Sequence, residues 1–467
     1  MDEFDVVVVG GGPAGETVAG RCADGGLSVA LVERELVGGE CSYWGCVPSK
    51  TLIRPGDVLA AARRVPGAAE AVIGQLDVTA ALARRDYMTS GWDDAGQLPW
   101  LEQHGIELVR GSGRIDGDRT LAVWSGDVVM RRLAARRAVV LATGTTSALP
   151  PVPGLAGVGA WDNRDATAAK AVPRRLLVLG GGAVGVELAQ AFRRLGTAEV
   201  TVVEVAPRLL AREEPFAGEE VARALVAEGV TVHVGARVED VRRERPAGPV
   251  TMRLRGPGDV TDDIVADEIL VAAGRRVMTA ELGLDTVGLV PGRVVEVDDR
   301  LRATGVAGGW LYAVGDCNGL APLTHMGKYQ ARIAADVILG KDVRDRASRA
   351  AVPRVTFTDP QVCAVGLTEA EARERGLDVR AVRSGTGDVA GAYTAGNGVQ
   401  GTSFLVVDQS RGVVVGATFT GPGVQELLHS ATVAVAGEVA LDDLWHAVPS
   451  FPTVSEVWLR LLEQYGL

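Results

Sequence analysis

Cys41 and Cys46, five positions apart in GGECSYWGCVPSK at residues 38–50, are a pair whose type and spacing suit chemistry. In a regular helix, residues at that spacing have Cα atoms roughly 8–9 Å apart. A disulfide needs about 4.4–6.8 Å. A bridge therefore must distort the backbone or sit across a helix start. Gly38, Gly39, Gly45 and Pro48 supply the irregularity. This geometry permits a disulfide without saying whether it is a staple or carries electrons. A metal site is the weaker reading, because zinc would need two further ligands. Cys22, Cys317 and Cys363 are isolated, and His104, His233, His325, His429 and His446 show no ligand spacing.

Glycines form the second constellation. FDVVVVGGGPAGETVAGRCADGGLSVALVERE reads as strand, glycine turn, helix and strand, with Gly10, Gly12 and Gly15 at the turn and Glu33 closing the second strand. The glycines allow a tight turn and close backbone approach, the helix start faces a pyrophosphate, and the carboxylate accepts from a ribose hydroxyl. One such turn also serves plain helix–strand packing. Here it recurs in RRLLVLGGGAVGVELAQAFRRLGTAEVTVVEVAPRLL, with Gly180, Gly182, Gly185 and Glu204. Two complete units imply two bound dinucleotides.

The elements that must position these groups need a long chain. With 467 residues, abundant Gly and Ala and few aromatics, the sequence predicts two to four domains of α/β layers. Lys plus Arg number 48 against 59 Asp plus Glu, a net charge of −11, which argues against nucleic acid or an anionic membrane surface as partner. No apolar run approaches a membrane span, and the acidic start MDEFD followed by a short valine run is no signal peptide. These features predict a cytoplasmic protein. In that reducing compartment a structural staple is disfavoured, and a close cysteine pair is catalytic or metal-binding.

Two dinucleotides and two thiols suggest an electron path from nicotinamide through flavin to disulfide. On the C-x-x-x-x-C-x-P-S-K motif, and over its whole length, the chain resembles the FAD-dependent pyridine nucleotide–disulfide oxidoreductases, the family of dihydrolipoamide dehydrogenase, glutathione reductase and mercuric reductase. Segments VVLATGTTSALPPVPG, LYAVGDC, LTHMGKYQARIAAD and GSGRI add to the likeness. The resemblance implies an α/β fold with two Rossmann-like dinucleotide-binding domains and a C-terminal α+β interface domain. Residues 1–150 would be the FAD domain, broken by a mostly helical excursion near 51–104, and 151–274 the NAD(P) domain. Residues 275–345 would complete the FAD site, and 346–467 would pair subunits. FAD and NADH are the implied cofactors, with NADPH possible, in a homodimer with a shared active site and a small-molecule acceptor.

The resemblance also implies roles. Cys46 would be the flavin-side thiol and Cys41 the one that exchanges with substrate. A low pKa at Cys46 fits a residue that opens the helix CVPSKTLI. Lys50 and Glu187 would form an ion pair beside the flavin and the nicotinamide pocket. Gly39, Gly113, Thr143, Gly144 and Asp316 would join the first glycine turn around FAD, with Asp316 on the ribityl chain. Gly274 would join the second turn around the nicotinamide nucleotide. The other three cysteines are expected to be structural.

The C-terminus departs from the family pattern. Disulfide reductases of this kind end in His-Pro-Thr-x-x-Glu. Here Pro452, Thr453 and Glu456 align, but the histidine position holds Phe451, which shuttles no proton. His446 reads as a surface or packing residue. Glu456 is either a helix-start carboxylate with capping value or an acid/base in its own right. Mercuric reductases also lack the histidine but receive the metal ion on a C-terminal cysteine pair, and this chain has no cysteine after Cys363. The expected function is transfer of electrons from NAD(P)H through FAD to a Cys41–Cys46 disulfide, and on to a disulfide or other electrophile. The alternatives are a quinone or metal-ion reductase and, from another class, a nucleotide-sensing or scaffold subunit without turnover.

Overall fold

Val6–Val9 is a run of four apolar residues, and such a run is stable only where both faces of a strand are covered. In the computed structural model, which describes residues 1–246 and 248–467, those valines are almost fully buried in the strand Asp2–Val9. The chain divides into two compact units. One comprises residues 1–48, 86–146 and 275–349, the other 49–85, 147–274 and 350–467.

The first unit is built on a seven-stranded sheet. Ile106–Arg110, Val29–Glu33, Asp2–Val9 and Val128–Leu141 lie side by side in parallel, and Thr120–Ser125 and Ser112–Gly117 continue the sheet antiparallel. Leu311–Ala313 adds to the other end of the long strand Val128–Leu141, with Leu311 opposite Val139. Valine and leucine fill these central strands because β-branched and bulky side chains pack well on a pleated surface. Helix Pro13–Asp24 meets helix Thr324–Ile338 through small residues. A Cβ on Gly327 would lie 3.4 Å from Ala14 Cβ and 3.3 Å from Gly315 Cα. The second half of the unit, far along the chain, thereby closes on the first glycine turn.

The second unit holds a smaller parallel sheet, in the order Val230–Val234, Glu199–Glu204, Arg175–Leu179, Glu268–Val271. It also holds a three-stranded antiparallel sheet and a five-stranded antiparallel sheet with helices Leu428–Ala436 and Val457–Tyr465. Phe419, Leu405 and Leu461 are buried at the centre of this last layer, and Trp458 Nε1 donates to Ser430 Oγ at 3.0 Å. The mixed α/β class and the C-terminal α+β layer expected from the sequence are both present. Residues 46–103 are mostly helical, in helices Cys46–Arg64, Val78–Met88 and Leu98–Gln103 with single turns between them. No helix among the described residues is long and apolar enough to cross a membrane.

Helix Cys46–Arg64 carries one acid with unusual behaviour. Asp57 accepts from Arg194 Nη1 at 3.1 Å, yet burial pushes its carboxyl up to about 6 against the pull of Arg194, Arg54 and Arg64, with Asp359 adding to the rise. A raised pKa means the folded state holds the proton more tightly. Its stabilisation is therefore complete below about pH 4 and lost as pH rises through about 6. Asp57→Asn is expected to remove this fall, on the order of 1 kcal/mol after allowing for solvent screening. Thermal melts between pH 4 and 6 measure it, and an unchanged slope would show that Asp57 ionises normally.

Candidate active site

The two glycine turns are built alike. Gly10 and Gly180 have φ of +106° and +114°, where a side chain is strained. A Cβ on Gly15 would overlap the carbonyl of Gly10, and one on Gly185 that of Gly180, so strand end and helix start touch backbone to backbone. Gly10 N–H donates to Val32 O and Gly180 N–H to Val203 O, both at 2.8 Å. Glu33 uses both oxygens at the first turn, accepting from Gly11 N and Glu35 N at 2.6 Å. Glu204 does the same at the second, from Gly181 N at 2.6 Å and Ala206 N at 2.7 Å. Backbone donors hold each carboxylate at the strand end, and each oxygen keeps a lone pair for a hydroxyl. At Gly12 and Gly182, one residue before each helix, a Cβ would meet nothing closer than 3.9 Å, so the space in front of each helix start is open. These two cradles fit dinucleotides: Cβ atoms would fill them, and their free lone pairs and helix starts suit ribose and pyrophosphate.

The sequence leaves the cysteine geometry open, and the structure decides it. Cys41 lies in the short helix Gly39–Tyr43, the chain breaks at Trp44 and Gly45, and Cys46 is the first residue of helix Cys46–Arg64. A Cβ on Gly45 would come within 3.1 Å of Glu40 O and 3.4 Å of Cys41 Cα, a tight fit where the two segments meet. Both cysteines are free thiols. A hydrogen bond to Cys46 pushes the Cys41 thiol up, with burial adding to it. Cys46 Sγ lies 3.4 Å from Thr324 Oγ1, at the start of helix Thr324–Ile338. The sequence reading missed Thr324, because nothing local marks a residue that lies 278 positions from its partner.

The same unit gathers the other residues expected at FAD. Asp316 Oδ2 accepts from Thr145 Oγ1 at 2.6 Å, and Arg275 Nε donates to that hydroxyl at 2.7 Å. Arg275 also reaches Glu40 Oε1 at 3.5 Å, beside Cys41 in the chain. Thr145 and Arg275 were not singled out from the sequence. A Cβ on Gly39 would lie 2.7 Å from Gly12 Cα, which brings the cysteine segment against the first cradle. Gly113 faces Val9 and Val32 inside the sheet, where a Cβ would come within 3.2 Å of both. Thr143 and Gly144 follow the strand Val128–Leu141.

In the second unit Lys50 Nζ donates to Glu187 Oε2 at 2.7 Å, and Phe357 N–H donates to Glu187 Oε1 at 2.8 Å. The Phe357 ring lies 4.8 Å from Lys50 Nζ, a cation–π contact. Glu187 is almost fully buried, and a carboxylate there requires these partners. Gly274, φ +141°, presents its carbonyl to Ala148 N–H at 3.0 Å.

Phe451 is 76% exposed, close in the chain to Val448 at 83% and Trp445 at 38%, and His446 is exposed too. Glu456 stands at the start of helix Val457–Tyr465, at the end of the turn Val454–Glu456 that follows Thr453, and neither Glu456 nor Thr453 makes a side-chain cap hydrogen bond. Glu456 Oε2 is instead buried with no hydrogen-bond partner among the described residues. The three remaining thiols are buried. Desolvation pushes Cys22 and Cys317 up to about 12 and Cys363 higher still. None of them is a nucleophile.

Comparisons with known proteins point the same way. Residues 4–335 match the family described as pyridine nucleotide-disulphide oxidoreductase, and residues 352–461 match its dimerisation domain. A dihydrolipoyl dehydrogenase of Rhizobium etli is 30% identical over 100% of this chain and 98% of its own. A mercuric reductase of Staphylococcus aureus is 30% identical, covering 97% of this chain and 81% of its own. Among solved structures, a Cu(II) complex of the HOCl-induced flavoprotein disulfide reductase RclA from Escherichia coli superposes with a TM-score of 0.83. It is 25% identical and covers 99% of both chains.

Proposed function

Because the chain belongs to the pyridine nucleotide–disulphide oxidoreductase family, whose members use FAD and NAD(P)H, we propose that it carries electrons from NADH to the Cys41–Cys46 pair and on to a small electrophilic acceptor. The observation that carries this reading is the thiol pair itself, closed across a helix start in the same unit as the first nucleotide cradle. In this reading residues 1–150 and 275–345 hold FAD, 151–274 the nicotinamide nucleotide, and 346–467 pair two subunits in a cytoplasmic homodimer. Bound FAD supplies the two-electron relay between a hydride donor and a disulfide. Gly10, Gly12, Gly15, Glu33, Gly39 and Asp316 would hold it.

The chain's own residues do the exchange. The helix start favours the thiolate at Cys46, and the proton stays on Cys41. Once Cys41 loses that proton, its sulfur attacks one sulfur of an acceptor disulfide, and the other sulfur leaves with the bonding electron pair. Cys46 then attacks Cys41, restores the internal disulfide and releases the second thiolate. Phe451 stands where the family places a histidine, so a leaving group that needs no proton is favoured. The acceptor is therefore an activated disulfide or another electrophile rather than glutathione disulfide, and dihydrolipoamide is a poor electron donor to the pair. An intact thiol pair speaks against a scaffold without turnover. A reductant-to-acceptor screen of purified holoenzyme with NADH and NADPH, over small disulfides, quinones and metal salts, tests the reading. Protein that binds no flavin, or whose flavin NADH does not reduce, would overturn it.

Donor preference follows from Glu204. Its carboxylate accepts from a 2′-hydroxyl and repels a 2′-phosphate. Arg208, the nearby cation in the sequence, is tied to Ala211 O at 2.8 Å and Glu213 O at 2.9 Å. NADH is expected to exceed NADPH in kcat/KM. Glu204→Ala is expected to lower the NADH value by at least about tenfold, as for one hydrogen bond to a charged group. A clear NADPH preference in the wild type would show that a cation governs the pocket.

A further inference from the structure

We propose that Arg194 and Asp359 are positioning residues for the Lys50–Glu187 pair, acting through a polar ladder; the proposal rests on the reading of that pair given above. On helix Ala183–Arg194, the residues Glu187, Gln190 and Arg194 are three and four positions apart and share one face. Segment 357–359 runs along that face, rung by rung. Phe357 N–H donates to Glu187 Oε1 at 2.8 Å. Asp359 N–H donates to Gln190 Oε1 at 2.8 Å, and Gln190 Nε2 returns a bond to Asp359 O at 3.0 Å. Arg194 Nη2 donates to Asp359 Oδ2 at 2.8 Å, and Arg64 binds the same oxygen. Glu228 closes the far end, accepting from Gln190 Nε2 at 2.8 Å and from Arg194 Nη2 at 2.7 Å.

The ladder has a consequence for the pair. Asp359 is two residues from Phe357, so fixing Asp359 by these bonds fixes where the Phe357 amide and ring lie. Those are the groups that hold Glu187 and cover Lys50. Lys50 and Arg64 belong to the same helix, Cys46–Arg64, so both of its ends within this unit are tied to the ladder. A Cβ on Gly56 would lie 2.7 Å from Arg194 Cδ, which leaves room for the arginine stem and nothing larger. Apolar residues would pack such an interior at least as stably. What charged rungs add is register, because a guanidinium and a carboxylate meet in one geometry.

Asp359→Asn and the milder Arg194→Lys test this in the holoenzyme. Each is expected to slow flavin reduction by NADH about tenfold and to leave reoxidation of pre-reduced enzyme by an activated aromatic disulfide unchanged. Amide hydrogen exchange at Phe357 is expected to quicken in both. Glu220→Gln serves as control: its carboxylate accepts from Thr402 Oγ1 at 2.7 Å in the same unit, away from the ladder, and its loss should lower Tm alone. Equal slowing of both half-reactions, unchanged exchange at Phe357, or the same split in Glu220→Gln would each overturn the proposal. Lys50→Met separates the two readings. Slow reduction in Lys50→Met with a normal rate in Asp359→Asn overturns the ladder alone. Normal rates in both overturn the role of the pair, and the ladder with it.

Discussion

Cys41→Ser and Cys46→Ser are each expected to lower NADH-driven turnover of disulfide acceptors by at least about 10³-fold, because the exchange needs both sulfurs and no other residue can stand in for a covalent nucleophile. The three remaining cysteines are 0% exposed, so none meets a substrate. The two variants are expected to differ in their spectra, and that difference tests which thiol serves the flavin. Wild-type holoenzyme should develop long-wavelength absorbance on anaerobic two-electron reduction, from the Cys46 thiolate beside the flavin. Cys41→Ser leaves Cys46 without a partner, so the absorbance should be present before any reductant is added. Cys46→Ser should show none at any stage. The asymmetry has a structural cause: Cys46 begins a long helix and touches Thr324, whereas a hydrogen bond to Cys46 and burial raise the Cys41 thiol. Reversed spectra would exchange the two roles, and identical spectra in wild type and Cys46→Ser would remove the assignment altogether.

Phe451→His is expected to raise turnover of ordinary disulfides and dithiols by at least about tenfold, part of the 10²- to 10⁴-fold that a placed acid/base contributes. A dithiol such as dihydrolipoamide has thiols of pKa well above neutral and must lose a proton before it attacks, and phenylalanine accepts none. Wild type is therefore expected to be reduced readily by NADH yet to turn over dihydrolipoamide and glutathione disulfide poorly. Glu456 supplies the second half of the argument. Its Oε2 is buried with no hydrogen-bond partner among the described residues, so it has an acceptor to offer an imidazole N–H. The gain in Phe451→His should follow a group of pKa near about 6.5, and adding Glu456→Gln should remove most of it. Family-normal dihydrolipoamide turnover by the wild type would refute this reading and point to His446 or Glu456 as the working base. The exposed run through Trp445, Val448 and Phe451 lies within the segment that matches a dimerisation domain.

Much of this was legible in the chain because the signals are local. A glycine turn specifies its own geometry, since Gly10 must take positive φ and Gly15 must pass against the Gly10 carbonyl, and both requirements act within a few residues. The apolar runs Val6–Val9 and Leu176–Leu179 likewise announce strands covered on both faces. The carboxylates Glu33 and Glu204 belong to the same local pattern, and their matching backbone bonds follow from it.

The cysteine motif was legible as a pair but not as a geometry. Spacing alone left the bridge strained, and it took the break at Gly45 to bring Cys41 beside the start of a new helix. Glu456 stands at a helix start, yet its backbone is already helical there and its side chain makes no cap hydrogen bond, a detail the sequence does not reveal. Thr324, Thr145, Arg275 and Phe357 escaped the sequence reading for a single reason: each meets its partner across a hundred residues or more, in contacts no periodicity encodes. By itself, then, the sequence determined the two cradles, the thiol pair and the strands that carry them, because those depend on backbone sterics and hydrophobic period within a short window. Only the tertiary structure decided which polar side chains satisfy one another in the interior. A buried charge must find its partner wherever the fold brings one within hydrogen-bond reach, and that distance is set by packing rather than by position in the chain.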